Sequence, residues 1–361
     1  MKAALRAVWA AALMQSAGSA LAIEYYSGLS FVGQTDTERP ELSASFDFVA
    51  SDRWGPGRWT LYLEASSTPP AMGVTARYPQ ANADAGSALD AGDDARLQVS
   101  ELHYQLPLGR GWLGTGGLID SSAFLDRSLI SNDETRQFLG ATLVNNPTIN
   151  FPDYTLGFAL GRPLTEFSEA TPSAWGAALV LSASDGLADN PARSYGELLR
   201  SSRGEGLFAA AEFRYRWQRS ILRTGLWTNT REVDAVAAGQ PSGSGLGSYV
   251  SASQQLGDEC AVDLRAGLAD QHVARAPRFL SAAVAAGPQT GRYGLGWSRN
   301  WPAPAVGAER AASTQIELYY RWQPNHYAVQ ITPSLQHIDN PDFVQARSER
   351  ILSLRLQLDF Q

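Results

Sequence analysis

Large apolar and polar side chains alternate along this sequence with a period of two, and no other feature constrains its fold as strongly. Over 352–360 every second residue is leucine or phenylalanine, and the residues between them are Ser353, Arg355, Gln357 and Asp359. Successive side chains of a β-strand point to opposite faces of a sheet, so this pattern predicts strands with one apolar and one polar face. After residue 22, no segment approaches the run of about 18 apolar residues that a membrane-spanning helix needs. If this chain crosses a membrane, it does so as strands.

The polar rows carry Arg, Asp and Glu in the middle of strands, whereas the apolar rows keep large side chains through whole strands. This combination is typical of a barrel wall with lipid outside and a water-filled lumen inside. Lipid offers no partner to backbone polar groups, and a closed barrel is the only sheet that pairs all of them. The alternation predicts that the lumen is lined by Asp47, Tyr62, Glu64, Glu212, Arg214, Arg216, Asp263, Arg265, Glu317, Tyr319, Arg321, Gln330, Arg355, Gln357 and Asp359.

The pattern predicts sixteen strands between Glu24 and Phe360, and their connections largely alternate between short and long. Outer-membrane barrels show this asymmetry, with tight periplasmic turns and longer outside loops. The predicted fold is therefore all-β, a sixteen-stranded antiparallel transmembrane β-barrel. Thr35–Glu41 is short for an outside loop, and Arg162–Ser173 is long for a periplasmic turn. The predicted long loops include 68–95, 120–153, 183–205, 229–245 and 300–313.

The N-terminus has the organisation of a secretory signal peptide. Lys2 and Arg6 form a basic start, 7–14 is apolar, and 20–22 is a small-x-small cleavage pattern. We expect cleavage after this stretch, which leaves 23–361 as a single exported barrel domain. The formal net charge of −7 argues against a dedicated nucleic-acid binder, and one cysteine excludes an internal disulfide framework.

Two blocks of the sequence resemble the OprB-type carbohydrate-selective porins. The first consists of 120–126 (DSSAFLD), 132–138 (NDETRQF), 143–147 (LVNNP) and 149–152 (INFP). The second consists of 317–322 (ELYYRW), 331–336 (ITPSLQ) and 338–341 (IDNP). The resemblance implies a sixteen-stranded outer-membrane barrel that passes sugars by diffusion and whose third outside loop folds inward to narrow the pore.

In this chain the third outside loop is 120–153. The residues of this loop expected at the constriction are Asp120, Asp126, Arg127, Asp133, Glu134, Arg136 and Gln137. A short helix over Asp133–Leu143 is predicted, with Asn132 as its N-cap and two acidic residues in its first turn. The composition of 81–94, small and polar, predicts a mobile outside loop.

A lumen with charged, amide and tyrosine side chains offers a neutral sugar both hydrogen-bond partners and aromatic rings. Binding in a channel must be weak, since the solute has to leave as readily as it enters. We therefore predict a passive, weakly selective sugar channel in the lipid of the bacterial outer membrane. It is not predicted to be an enzyme, it needs no cofactor or metal, and a homotrimer is expected by analogy alone.

Three alternative functions stay open at this stage. They are a general porin for other small solutes, a sealed barrel acting as a surface receptor or adhesin, and an outer-membrane hydrolase. The hydrolase has the least support, because the histidines lack a metal-ligand spacing and no Gly-x-Ser-x-Gly elbow lies near them.

Overall fold

The computed structural model describes residues 23–164, 173–187, 193–201, 206–304, 310–324 and 328–360. The strands of this part are β1 (Glu24–Thr35), β2 (Pro40–Trp54), β3 (Gly57–Ser66), β4 (Leu97–Gly109), β5 (Trp112–Ile119), β6 (Thr155–Arg162), β7 (Ser173–Ala183), β8 (Leu207–Trp217), β9 (Ser220–Val233), β10 (Gly243–Gln255), β11 (Cys260–Ala269), β12 (Arg278–Ala286), β13 (Gly291–Trp301), β14 (Ser313–Trp322), β15 (Val329–Asp339) and β16 (Ser348–Phe360). Each strand pairs antiparallel with its neighbours in sequence, and β1 pairs with β16 to close the barrel. The predicted fold class and strand number are confirmed, whereas the predicted signal peptide lies outside the described residues.

The two ends of the barrel differ in their connections. At the short-turn end, β2 and β3 are joined by 55–56, β4 and β5 by 110–111, and β8 and β9 by 218–219. Arg110 and Gly111 both have positive φ, 52° and 79°, as a two-residue hairpin turn requires to follow the twist of its strands. Tight turns of this kind keep neighbouring strands in register.

The opposite end, the long-loop end, carries the segments 67–96, 120–154 and 184–206. We name the first two L2 and L3, because they are the second and third loops of this end. The short loop predicted near Thr35–Glu41 is 36–39, at this same end.

The predicted loop 229–245 is wrong at both ends, because β9 continues to Val233 and β10 begins at Gly243. The ladder between β9 and β10 continues through a register shift between Gly243 and Gly245. Glycine has the backbone freedom that such an irregularity needs. The hydrogen-bonded pairing of β9 and β10 therefore continues beyond the residues whose apolar and polar side chains alternate.

The two faces of the wall differ as the alternation predicts. Along β8, Leu207, Phe213, Tyr215 and Trp217 are exposed on the outer face, whereas Glu212 between them is buried inside. Similar exposed apolar rows follow β9, β11 and β16, which gives the barrel a continuous apolar belt. The buried core of the molecule therefore lies within the barrel, where the loops pack against the inner face.

Helices are few in the described residues. The α-helices are α1 (Val74–Arg77) in L2, α2 (Ala141–Val144) in L3 and α3 (Tyr195–Ser201) between β7 and β8, and short 3₁₀ turns are formed by Pro79–Ala81, Ser122–Phe124 and Pro341–Phe343. None of the helices in the described part of the chain has the length and apolar composition to span a bilayer.

Candidate functional site

The inner face of the barrel carries the side chains that the alternation placed there. Strand register relates the predicted positions to one another, since Asp47 lies opposite Glu64 and Arg214 lies opposite Arg223. Every predicted lumen position falls on the inward row of its strand, opposite to the exposed apolar belt. Their contact with a passing solute stays a prediction.

L3 enters the barrel and is bonded to the wall opposite to the strands from which it leaves. The Glu317 carboxylate on β14 accepts the backbone N–H groups of Leu139 and Gly140, at 3.0 Å and 2.8 Å. On β16, Arg355 donates to the carbonyl oxygens of Glu134 and of Gln137, the latter at 2.8 Å. Two inward side chains expected to line the lumen therefore hold the loop that crosses it.

Close approach of L3 to the wall depends on Gly140. A Cβ atom at this position would lie 2.5 Å from the Gln315 amide nitrogen and 3.0 Å from a Glu317 carboxylate oxygen. Next to it, the Phe138 ring packs edge-on against Tyr319, with ring centroids 5.0 Å apart. The tip of L3 is thus fixed by an apolar contact as well as by hydrogen bonds.

The predicted helix over Asp133–Leu143 is wrong, since only Ala141–Val144 is helical and Gly140 is its N-cap. Asp133, rather than Asn132, caps the preceding turn by accepting the backbone N–H groups of Thr135 and Arg136 at 3.0 Å each. The physical reason is that side chains of the barrel wall bind the backbone groups that an α-helix would have paired internally. Arg355 donates to backbone carbonyl groups of this segment, and Glu317 accepts a backbone N–H group.

The base of L3 has a second anchor on β8 and β11. The Asp126 N–H donates to the Glu212 carboxylate at 2.7 Å, and Arg214 donates to the same carboxylate. Arg265 donates to the carbonyl oxygens of Leu143 and, at 3.0 Å, of Val144. Glu212, Arg214 and Arg265 are therefore loop anchors as well as wall residues, a role that alternation alone did not predict.

L2 also enters the barrel, so the expectation of a mobile outside loop is wrong for its packed part. The Ala83 N–H donates to the Leu139 carbonyl of L3 at 2.9 Å, which joins the two loops directly. The Ala81 carbonyl accepts the amides of Gln34 and Gln336 at 3.2 Å and 2.8 Å. Composition could not reveal these inward partners, because they come from distant strands.

Carboxyl groups from both loops and from the wall meet on one side of the place where L2 and L3 join. Asp84 of L2 accepts the Ser45 hydroxyl at 2.5 Å, and Asp47 accepts the Tyr62 hydroxyl at 2.6 Å. Glu134 of L3 interacts electrostatically with both Asp84 and Asp47. Burial, reinforced by these like charges, raises the pKa of the Glu134 carboxyl to about 8.

Basic groups lie on the side formed by β14, β16 and β1. Arg136 of L3 pairs with Asp359 at 3.0 Å and donates to the Tyr26 hydroxyl at 2.6 Å. Arg321 reaches the Arg136 carbonyl at 3.3 Å. The side chain of Arg136 is 35% exposed, so it is held in place and still reaches the open space of the lumen.

The other predicted constriction residues divide into loop-internal and open positions. Asp120 accepts the Ser122 N–H at 2.8 Å, and Gln137 accepts the Asn132 N–H at 2.8 Å. Arg127 is exposed. Two further inward arginines, Arg223 and Arg292, were not predicted as lumen positions. The alternation of inward and outward residues along their strands would have identified both.

A cavity of about 710 Å³ lies at the long-loop end of the barrel. Its lining includes Gln80 of L2, Thr142 and Asn150 of L3, Arg231 and Asn300. Polar groups of both inward loops therefore face this cavity.

The buried Asp126 carboxyl in L3 is expected to make the stability of the protein depend on pH. Burial raises the pKa of the Asp126 carboxyl to about 7, although the nearby Arg265 lowers it. Unfolded carboxyls titrate near pH 4, so the folded state keeps this proton to higher pH, and stability falls as the pH rises from about 4 to about 7. We expect Asp126→Asn, which stays neutral, to lose this part of the pH dependence.

The measurement is the thermal unfolding midpoint of wild type and variant in detergent at each pH. The difference between the two should change between about pH 4 and about pH 7 and be constant outside this range. Asp258→Asn, a change in an exposed turn, is the matched control. Parallel curves for the wild type and Asp126→Asn would contradict the prediction.

Comparison with known proteins bears mainly on the fold. No protein-family model matches the chain. An uncharacterized protein of Aquifex aeolicus is 33% identical over 76 residues, which are 21% of this chain and 24% of that protein. The match thus spans about a quarter of that relative.

Solved porins match nearly the whole chain. The high-pH structure of Pseudomonas putida OprB has a TM-score of 0.69 and 14% identity, covering 94% of this chain and 93% of that one. Its low-pH structure gives 0.57 and 10%, covering 94% and 92%. A mutant of the Rh. blastica porin gives 0.55 and 11%, covering 94% and 100%. At these identities the likeness shows that the chain has the fold of these porins.

Proposed function

We propose that this protein is an outer-membrane channel of the OprB type, through which small carbohydrates diffuse passively into the periplasm. The observation that carries the proposal is the double attachment of L3, to Glu317 and Arg355 on one wall and to Glu212 and Arg265 on another. A loop fixed across the lumen narrows the passage and leaves part of it open to solute. The sequence resemblance and the porin fold support the same function.

The constriction suits a neutral, hydroxyl-bearing solute. On one side, the Asp133 carboxylate accepts sugar hydroxyl protons, and the Glu134 carboxyl, with its pKa raised to about 8, both donates to and accepts from hydroxyl groups. On the other side, the guanidinium of Arg136 donates to hydroxyl oxygens. The Tyr26 ring beside Arg136 offers an apolar face to sugar C–H groups. Each contact is exchanged with water as the solute moves, so the interaction stays weak enough for conduction.

The remaining constriction candidates act on the loop. The side chains of Asp120 and Gln137 hold turns of L3, and the backbone N–H of Asp126 bonds the loop to Glu212, so these contacts set the width of the passage. Arg127 is exposed and adds positive charge near the entrance. In this proposal the protein is exported through its N-terminal signal and crosses the membrane with its apolar belt.

Liposome swelling with sugars of graded size tests the proposed function. Vesicles containing the purified protein should swell rapidly in isosmotic monosaccharide and more slowly in di- and trisaccharides. Swelling no faster than that of empty vesicles would refute a channel and favour a sealed barrel. Equal rates for organic acids and sugars of similar mass would instead identify a general porin.

A further inference from the structure

Two arginines lie on the outer face of the barrel, where the apolar belt ends. Arg278 is the first residue of β12 and pairs with Trp301, and Arg299 on β13 pairs with Leu280. Both arginines are exposed, and their cross-strand neighbours Leu268 and Leu280 are outward apolar residues with 57% and 40% exposure. These cations therefore belong to the lipid-facing row and not to the lumen.

Both guanidinium groups contact the same indole ring. Their central carbons lie 5.9 Å and 5.4 Å from the ring centroid of Trp301 for Arg278 and Arg299, respectively. Tryptophan favours the boundary between hydrocarbon and head groups, so its place at the end of β13 puts both arginines at head-group depth.

Neither arginine has an acidic partner within the part of the chain that the structure describes. Other arginines differ in this respect, since Arg136 pairs with Asp359 and Arg275 pairs with Asp342. Two like charges on one ring repel each other, and an anion between them would relieve the repulsion. A phosphate suits this position, because guanidinium groups bind its oxygens through two parallel N–H donors.

An apolar groove of about 540 Å³ begins at Arg278 and runs across the outer face from β12 to β9. Small side chains form its floor, Thr224, Ser248 and Ala266, and Val250, Leu268 and Leu280 form its walls. Register explains the shape, because Ala266 lies between Val250 and Leu280 on neighbouring strands. A groove between larger side chains on a lipid-facing wall fits an acyl chain.

We propose that this face of β10–β13 is a binding site for a phosphorylated acyl lipid of the membrane leaflet at the long-loop end. The phosphate lies between Arg278 and Arg299, and one acyl chain occupies the groove below them. A lipid, and not free phosphate, is the occupant, because the cations and the groove are continuous on a surface that contacts hydrocarbon. This lipid site is separate from the path of the solute, and the proposal does not depend on which solute the channel conducts.

The test uses bisphosphorylated lipid A as the probe and native mass spectrometry of the intact protein in detergent as the readout. Arg278→Gln/Arg299→Gln should weaken binding about tenfold, because two charge-assisted contacts are lost. Arg350→Gln is the matched control, an exposed arginine on the outer row of β16 that lacks the ring and the groove. The heat-dependent mobility of the barrel on SDS gels verifies that each variant is folded.

Two further measurements separate the contributions of head group and chain. Dephosphorylated lipid A should bind the wild type as weakly as bisphosphorylated lipid A binds the double variant. Ala266→Leu, which fills the groove and keeps both charges, should also weaken lipid binding, whereas inorganic phosphate should compete poorly. Equal loss in Arg350→Gln, unchanged binding in the double variant, or full competition by inorganic phosphate would each overturn the site.

Discussion

Removal of 132–144 from L3, with a short Gly-Ser linker in its place, is expected to raise single-channel conductance several-fold. The deleted segment contains every L3 group bonded to Glu317, Arg321 and Arg355. Its loss leaves the wall intact and removes the material that crosses the lumen. Trisaccharides that enter slowly through the intact protein should then enter about as fast as monosaccharides in liposome swelling.

A deletion of 237–240, a segment that does not line the cavity at the long-loop end, serves as the control for this experiment. That segment lies between β9 and β10 at the barrel rim, so its loss should leave conductance and size selection unchanged. Glu317→Gln provides an independent variant that keeps the shape of the side chain. An amide has one acceptor oxygen, so it cannot serve both L3 N–H groups as the carboxylate does, and current fluctuations should increase. Unchanged conductance after the 132–144 deletion would contradict a narrowing role for L3.

Arginine in the middle of the apolar belt is expected to destabilise the barrel strongly. Leu354 is at the centre of β16 on the outer face, with 55% exposure, and Leu358 lies on the same row near the strand end. Leu354→Arg should lower the free energy of unfolding by about 2–4 kcal/mol and Leu358→Arg by about 0–1 kcal/mol, because the penalty falls with distance from the bilayer midplane.

Reversible unfolding of both variants from lipid vesicles in guanidinium chloride measures this difference. Leu354→Met, which keeps the side chain apolar, controls for loss of packing. If the barrel lies in lipid, the arginine at the deeper position, 354, must lower the free energy of unfolding more than the arginine at 358. Equal destabilisation by Leu354→Arg and Leu358→Arg would instead indicate that the row is buried in a protein core.

Strand number and face were predictable because lipid and water impose opposite chemistry on alternate residues. That contrast is clear in the charged rows of β8, β11, β14 and β16 and weak in β1. It ends where the wall leaves the membrane, and there the prediction failed, as at the extension of β9 to Val233. Beyond the belt, backbone pairing alone decides where a strand ends.

The inward loops were less predictable, because their conformation depends on partners from distant strands. Asp133 and Glu134 favour a helical first turn, yet Arg355 and Glu317 bind the backbone groups that a helix would need. The small polar residues that begin at Ala81 suggest mobility, yet inward glutamines bind that backbone. Local propensity contains no information about these long-range hydrogen bonds.

The pairing of Arg136 with Asp359 shows how far the alternation could locate the constriction. Asp359 was predicted on the lumen row and Arg136 on the inward loop, and the structure brings them to 3.0 Å. Tyr26, which completes this cluster, was not predicted, because the first strand alternates weakly in polarity. A barrel closure that pairs β1 with β16 is what places Tyr26 beside Asp359.

Single-channel current of the intact protein in planar bilayers, recorded while glucose is added, tests the central claim most directly. An aqueous lumen narrowed by L3 predicts discrete current steps that decrease gradually as the sugar rises, since ions and sugar share one narrow path. Absence of current, or a current that the sugar leaves unchanged while small organic anions reduce it, would contradict the account.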